Sequence, residues 1–160
     1  MPTQPSSDKQ PLFTVERYML EESVGYWMHR AKSSLSMSMD QALMPHDITH
    51  QQAALMMRIL KSGEDSVTPS AMSRDFCIDV GAMTRLVDRL EKRGLIARVR
   101  SEEDRRVVKL MLTGEGRTLA AKLPELFVGV LNARFNDFSH AEVDNLKALL
   151  RKIADNRETS

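Results

Sequence analysis

The fold is decided by residues 79–112, DVGAMTRLVDRLEKRGLIARVRSEEDRRVVKLML. The first half predicts a helix over 80–93, because apolar residues recur there at helical spacing and Gly94 follows as a C-terminal stop. The second half changes period, with two β-type runs on either side of a wholly polar, heavily charged loop at 101–106. Two strands around a short polar loop predict a β-hairpin.

The helix predicted over 80–93 divides into two faces. Its inner residues are Met83, Leu86, Val87 and Leu90, and its outer residues are Thr84, Arg85, Asp88, Arg89 and Lys92. The major groove of DNA admits one α-helix, which usually contacts bases through its N-terminal residues. We therefore predict base contacts from Ala82, Thr84 and Arg85, with Arg89 on a base or the backbone. For this helix taken alone, an ordinary solvated surface explains the outer residues equally well.

Three helices are predicted upstream. The first is one long helix over 15–44, which Pro45 closes. The second begins at the N-cap residue Thr49 and runs to about residue 61. The third begins at the N-cap residue Thr68, with a proline at its first position, and fades near Cys77. Cys77 is expected to pack as a small apolar residue.

Two helices are predicted downstream. One begins at Thr113 and is kinked by Pro124. The other opens with the capping-box pair Ser139 and Glu142. The fold class is therefore mainly α with a small β-hairpin wing (α+β), a winged helix-turn-helix. The terminal helices are strongly apolar but separated by the whole central module, so pairing with a second copy would bury them, and they are predicted to be N- and C-terminal dimerisation helices. The predicted division is a disordered tail (1–13), an N-terminal dimerisation helix (14–48), a DNA-binding lobe (49–113) and C-terminal dimerisation helices (114–160).

The tip of the predicted hairpin favours contact with DNA. Arg105 and Arg106 suit insertion into a narrow minor groove, whose negative potential attracts arginine. Asp104 is expected to fix the loop through a charge-assisted bond to a neighbouring guanidinium rather than to touch phosphate. A solvated turn remains the alternative for the hairpin considered alone.

These residues resemble the MarR family of bacterial regulators. Asp104-x-Arg106, followed after five residues by Leu112-Thr113, matches the wing signature of that family, and residues 79–106 resemble its recognition helix and wing. The coarse order of elements extends the resemblance over about 15–153. The resemblance implies a homodimer on a pseudo-palindromic operator in double-stranded DNA. The predicted DNA-binding residues are Thr68, Ser70, Ser73, Gly81, Ala82, Thr84, Arg85, Arg89, Asp104, Arg105 and Arg106.

The resemblance also implies a small-molecule effector, because many members are repressors that release DNA when a phenol or aromatic acid binds between dimer interface and DNA-binding lobe. A hydroxynicotinate-like acid is the expected example. The candidate pocket residues are Tyr26, His29, Ser33 and His50, whose imidazoles, phenol and hydroxyl could pair with an aromatic acid. For any one of them taken alone, an ordinary satisfied polar residue of the core or surface is the favoured interpretation. No cofactor and no metal site are expected, since His46 and His50 lack carboxylate or thiolate partners at ligand spacing.

Composition and motif content restrict the alternative functions and locations. The net charge is only +1, but 68–113 carries ten lysines and arginines against seven acids. One cysteine excludes an intrachain disulfide, which suits a cytoplasmic location. No apolar run reaches the roughly 18 residues of a membrane span. An enzyme is not expected, because no H-E-x-x-H, G-x-S-x-G or P-loop motif occurs. The alternative function is a winged-helix protein–protein interaction module without DNA or ligand sensing.

Overall fold

The structure, a computed structural model, describes residues 11–20, 23–62 and 67–156. The chain divides into two compact units, residues 1–37 and 38–160. The described elements are α1 (Val15–Leu20), α2 (Val24–Leu43), a 3₁₀ turn (Met44–His46), α3 (His50–Ser62), α4 (Pro69–Asp75), α5 (Val80–Lys92), β1 (Ile96–Arg100), β2 (Val108–Leu112), α6 (Gly114–Ala120), α7 (Leu123–Arg134) and α8 (His140–Asp155). The fold is thus mostly helical with one antiparallel hairpin, as predicted.

The N-terminal unit corrects the prediction of one long helix over 15–44. The helix is broken at Ser23, whose hydroxyl accepts the Tyr26 backbone N–H at 3.1 Å and whose carbonyl accepts the Trp27 N–H at 3.2 Å. Ser23 therefore caps a new helix, which periodicity alone could not reveal because the apolar spacing continues across the break. α2 ends at Leu43, before Pro45, as predicted. Most of the predicted tail, residues 1–10, lies outside the described residues.

The core belongs to the second unit, where α3, α5, the hairpin and α6 pack together. Its fully buried side chains include Leu43, Leu55, Met56, Met83, Val87, Leu90, Leu95, Ile96, Leu110 and Leu123. Thr49 starts α3 as predicted and is bonded reciprocally to Gln52. The Thr49 hydroxyl accepts the Gln52 N–H at 3.3 Å, and the Gln52 side chain accepts the Thr49 N–H at 2.8 Å. These two reciprocal hydrogen bonds satisfy two backbone amides at the start of the helix.

The turn between α4 and α5 sets the angle of the two helices. Thr68 caps α4, accepting the Ala71 N–H at 3.2 Å, and Asp79 caps α5. Between them Cys77 adopts a left-handed conformation with φ of 50°. The expectation that Cys77 packs inside was wrong. Its side chain is exposed, because this turn position points it away from the core.

The hairpin pairs in register from Ile96 opposite Leu112 to Arg100 opposite Val108. α6 follows the second strand and lies against the start of the first. The Thr113 N–H donates to the Leu95 carbonyl at 3.1 Å, and the Thr113 hydroxyl donates to the Gly94 carbonyl at 2.6 Å. This close approach requires a glycine in α6, because a Cβ at Gly116 would lie 1.8 Å from the Leu95 oxygen.

Pro124 separates two helices instead of kinking one. α6 ends at Ala120 and α7 begins at Leu123, so the proline occupies the first turn of a new helix, where its missing N–H costs nothing. Ser139 and Glu142 form the predicted capping box that starts α8. In the part of the chain that is described, no helix is both long and apolar enough to span a bilayer.

Candidate nucleic-acid interface

Helix α5 has a polar, exposed outer face and an apolar, buried inner face. Its four predicted inner residues are all buried, and Gly81, Thr84, Arg85, Asp88, Arg89 and Lys92 are exposed. Only Ala82 among the predicted base contacts is half-buried. The Asp79 carboxylate accepts the Ala82 N–H at 2.8 Å, and this hydrogen bond lowers the pKa of Asp79, with a smaller contribution from Arg85. The cap therefore stays ionised and holds the start of the helix.

Arg85 lies back over the first turn of α5. A Cβ built on Gly81 would lie 3.1 Å from an Asp79 carboxylate oxygen and 3.4 Å from the Arg85 Nη1. Gly81 thus leaves the space in which the carboxylate and the guanidinium approach each other. The Arg85 guanidinium lies near the Asp79 carboxylate at the amino end of the helix and helps to lower its pKa, but the two groups form no ion pair.

The side of α5 near its start carries an apolar residue that the sequence reasoning did not select. Val80 is 69% exposed. The hydroxyl of Thr84, one turn later, donates to the Val80 carbonyl at 2.8 Å. The hydroxyl hydrogen is therefore used within the helix. The signal in the sequence was a valine at the first position of a helix whose other outward residues are polar or glycine.

Two basic residues of the central module serve the fold. Arg98 on β1 donates to Asp88 at 2.5 Å and to Glu91, so it fastens the wing to α5. Arg93, just beyond α5, donates to the Asp47 carbonyl and lies 3.3 Å from the Asp47 carboxylate. We define these contacts as the wing clamp (Arg98 with Asp88 and Glu91) and the turn clamp (Arg93 with Asp47). Neither arginine was among the predicted DNA contacts.

The wing tip presents its two arginines to solvent. Arg105 and Arg106 are exposed, and neither forms an ion pair with any described residue. Asp104 closes the loop, because its carboxylate accepts the Arg106 backbone N–H at 2.9 Å and its carbonyl accepts the Val107 N–H at 2.9 Å. Its carboxylate was expected to bind a neighbouring guanidinium. The bond that the structure shows goes to a backbone amide instead.

The three residues predicted at α4 differ in what they present. Ser70 is exposed, and its hydroxyl lies 3.2 Å from that of Thr68, which caps the helix. Ser73 is buried, and its hydroxyl donates to the Ile78 carbonyl at 2.6 Å. That hydroxyl therefore fixes the turn into α5 and is not presented at the surface. Sequence spacing could not separate Ser73 from Ser70, because the partner of Ser73 lies beyond the turn.

The predicted effector residues lie in different units. Within the first unit, the Tyr26 hydroxyl accepts from Arg30 at 3.0 Å, and His29 Nε2 lies 3.5 Å from the Ser33 hydroxyl. All three predicted α2 residues thus have local partners. No group of three described His, Cys, Asp or Glu side chains is arranged to hold a metal ion.

His50, the fourth predicted effector residue, belongs to the second unit. Its ring packs edge-on against Phe127, with the ring centroids 5.6 Å apart. Burial lowers the pKa of His50, and the nearby Asp40 carboxylate partly opposes that shift. The imidazole is therefore held mainly neutral at pH 7.

Comparison with known proteins places this arrangement in a family. The model of the MarR family matches residues 48–108. The HTH-type transcriptional regulator SarZ of Staphylococcus haemolyticus is 31% identical over 116 residues, which are 71% of this chain and 75% of SarZ. A mutant of MarR from E. coli, solved in complex with operator DNA, has a TM-score of 0.74 at 26% identity, over 86% of this chain and 95% of that one.

A further solved structure supports the fold. BpsR of Bordetella bronchiseptica, whose DNA binding is regulated by 6-hydroxynicotinic acid, has a TM-score of 0.74 at 24% identity, over 85% of this chain and 96% of that one. The helix-turn-helix, the wing with its Asp104-x-Arg106 signature and these similarities agree. The chain belongs to the MarR family of winged helix-turn-helix transcriptional regulators and, like its relatives, is a regulator and not an enzyme.

Proposed function

We propose that two copies of this chain bind a pseudo-palindromic operator, with each α5 in the major groove and each wing at the adjacent minor groove. The observation that carries the proposal is the division of the basic residues. Arg93 and Arg98 are held in the two clamps, whereas Arg89, Arg105 and Arg106 are exposed and form no ion pair with any described residue. Arginines without an ion-pair partner, on a helix that fits the major groove and at the tip of a hairpin, can bind phosphates and base edges of DNA.

Dimer formation is supported by the apolar side chains that a single chain leaves exposed. On α8, Leu149 and Ile153 are each 52% exposed, and on α1, Val15 and Met19 are 83% and 77% exposed. Apolar stripes of this kind at both chain ends favour burial against a second copy, and a two-fold dimer is the commonest arrangement. Two-fold symmetry would also place two reading helices at half-sites about one helical turn of DNA apart.

We further propose that the regulator represses transcription and that a small aromatic acid releases it from DNA. Tyr26, His29 and Ser33 of the first unit and, separately, His50 of the second unit are the candidate contacts for the acid. BpsR, whose DNA binding is regulated by 6-hydroxynicotinic acid, shares the fold of this chain, so that acid is one of the compounds to test. For release, the acid must bind the DNA-free state more tightly than the DNA-bound state.

The DNA part is tested by selecting sites from a random double-stranded library with the purified chain and measuring binding at two salt concentrations. We expect an enriched pseudo-palindrome whose affinity falls log-linearly with salt concentration, because phosphate contacts release counterions. Arg106→Ala should weaken binding about tenfold, on the order of 1–2 kcal/mol for one lost charged contact, and leave the dimer intact in sedimentation.

Glu103→Ala is the matched control, since it changes an exposed charge in the same loop and should not weaken binding. No enriched sequence and no salt-sensitive binding would contradict the proposal and favour the protein–protein module. For the effector, benzoate, salicylate and 6-hydroxynicotinate are titrated into the operator complex. If none of them binds the protein or releases the DNA, the proposed release by an aromatic acid is wrong.

A further inference from the structure

We propose that Val80 and Thr84 form an apolar contact for the 5-methyl groups of thymine, so that the first two turns of α5 read the operator by methyl contact. The inference rests on the proposed DNA binding and deepens it, because it names a base that each half-site must carry. We call the pair Val80 and Thr84 the methyl-reading pair. Val80 was not among the residues that the sequence indicated.

Val80 has no role in the core. It is the first residue of α5, directly after the cap residue Asp79, and it is 69% exposed, whereas the four inner residues of the helix are buried. A single exposed valine is unremarkable on most surfaces. Here it stands at the end of the helix that reaches base edges in helix-turn-helix proteins.

Thr84 has the chemistry of an apolar contact in spite of its hydroxyl. Because that hydroxyl donates to the Val80 carbonyl at 2.8 Å, its hydrogen is already used. The exposed side chain then offers a methyl group and an oxygen acceptor. Val80 and Thr84 are four residues apart, so they lie next to each other on one side of the helix.

The next polar residue on the same side is occupied elsewhere. Asp88, the next residue along the same side, is held by Arg98 in the wing clamp. On the neighbouring side, Arg85 is exposed and remains a predicted base contact of its own. The part of this side that stays uncommitted is therefore the methyl-reading pair.

Thymine is the base that matches such a surface. In the major groove it presents a C5-methyl group beside its O4 acceptor, and small apolar side chains contact that methyl. Cytosine and guanine present hydrogen-bonding groups that Val80 cannot satisfy. The pair therefore favours a thymine where the start of α5 enters the groove.

The test replaces thymine by uracil, which removes the methyl group and keeps every hydrogen-bonding group of the base. The probe is the operator selected from the random library, resynthesised with deoxyuridine at one thymine position at a time in both half-sites. We expect at least one position where deoxyuridine weakens binding about three- to fivefold per half-site, the effect of losing burial of one methyl-sized group. Val80→Ala should abolish this preference while non-specific binding and its salt dependence stay unchanged.

Thr84 supplies a matched pair of variants. Thr84→Ser keeps the hydroxyl and removes the methyl group, so the preference for thymine over uracil should shrink. Thr84→Val keeps a methyl group and removes the hydroxyl, so the preference should persist. Unfolding midpoints are measured in parallel to show that each variant is folded. We expect all of them to fold, because Val80 and Thr84 are exposed.

The outcomes separate the two levels of the proposal. If no operator can be selected, the proposed DNA binding itself fails. If an operator binds but no deoxyuridine position matters, or if the preference survives both Val80→Ala and Thr84→Ser, the methyl-reading pair is wrong and DNA binding stands. Loss of affinity in Thr84→Val with retention in Thr84→Ser would also overturn it, because the hydroxyl would then be the reading group.

Discussion

Replacing Gly116 by alanine has two opposing effects on the free energy of unfolding. Alanine in place of glycine stabilises a helix by about 1 kcal/mol. Against that, the new Cβ would lie 1.8 Å from the Leu95 oxygen and 2.9 Å from the Leu95 carbonyl carbon. Protein Cβ atoms essentially never come closer than 3.0 Å to other heavy atoms, so the Leu95 oxygen and the Cβ must move apart by about 1.2 Å. The neighbour is backbone, which cannot rotate away.

The separation would break the contacts that join α6 to the wing. The Thr113 N–H bond to Leu95 is 3.1 Å long, and the Thr113 hydroxyl bond to Gly94 is 2.6 Å long. Two hydrogen bonds contribute about 2 kcal/mol together, and overpacking adds roughly 1–3 kcal/mol. After subtracting the gain in helix propensity, Gly116→Ala should lower the free energy of unfolding by about 2–4 kcal/mol.

The assay is urea unfolding followed by circular dichroism at a fixed protein concentration, because the stability of the proposed dimer would depend on concentration. Gly129→Ala is the control. It lies within α7, nothing approaches its Cβ position within 4 Å, and it should stabilise by about 0.4–1 kcal/mol. If Gly116→Ala is as stable as Gly129→Ala, the packing of α6 on the wing is not as described.

Two further predictions concern charged groups. Arg98→Met should lower the free energy of unfolding by about 1 kcal/mol, since the wing clamp is partly exposed. It should also weaken operator binding, because the negative charges of Asp88 and Glu91 would no longer be neutralised. Unchanged operator affinity would show that the wing clamp does not position the wing for DNA. The pKa of His50 is lowered on folding, so the unfolded chain binds the extra proton, and stability should fall as the pH drops below about 6.5. His50→Gln should lose less stability than the native chain between pH 7.5 and pH 5.5 in urea titrations, and an equal loss in both would assign the pH dependence to other groups.

The sequence predicted the local signals of the fold well. Helix starts at Thr49, Thr68 and Ser139 depend on bonds within three residues, so the residue types suffice to identify them. The errors at Ser23 and Pro124 have one origin. Apolar spacing continues through both breaks, and spacing reports which side of a segment is apolar, not whether its backbone is continuous.

The candidate interface was predicted only in outline. The inner and outer faces of α5 follow from periodicity, and both were placed correctly. Which arginines are free does not follow, because Arg98 meets Asp88 ten residues back and Arg93 meets Asp47 across the fold. The same limit applies to Ser73, whose hydroxyl is consumed by a carbonyl beyond the turn. Long-range partners decide such roles, and one sequence does not reveal them.

The carboxylate at the amino end of α5 has a consequence for selectivity. A bare helix start grips phosphate with its free amides, but here Asp79 has already taken the Ala82 amide and carries a negative charge. A DNA phosphate that approaches this end therefore meets one free amide fewer and a carboxylate beside the Arg85 guanidinium, whatever the DNA sequence. In the proposed complex, α5 would therefore attract the phosphates of every duplex less strongly. It would lose least where base edges, rather than phosphates, meet its amino end. A genome offers a vast excess of non-specific sites. What matters for a regulator is therefore the ratio of its specific to its non-specific affinity, and not its specific affinity alone.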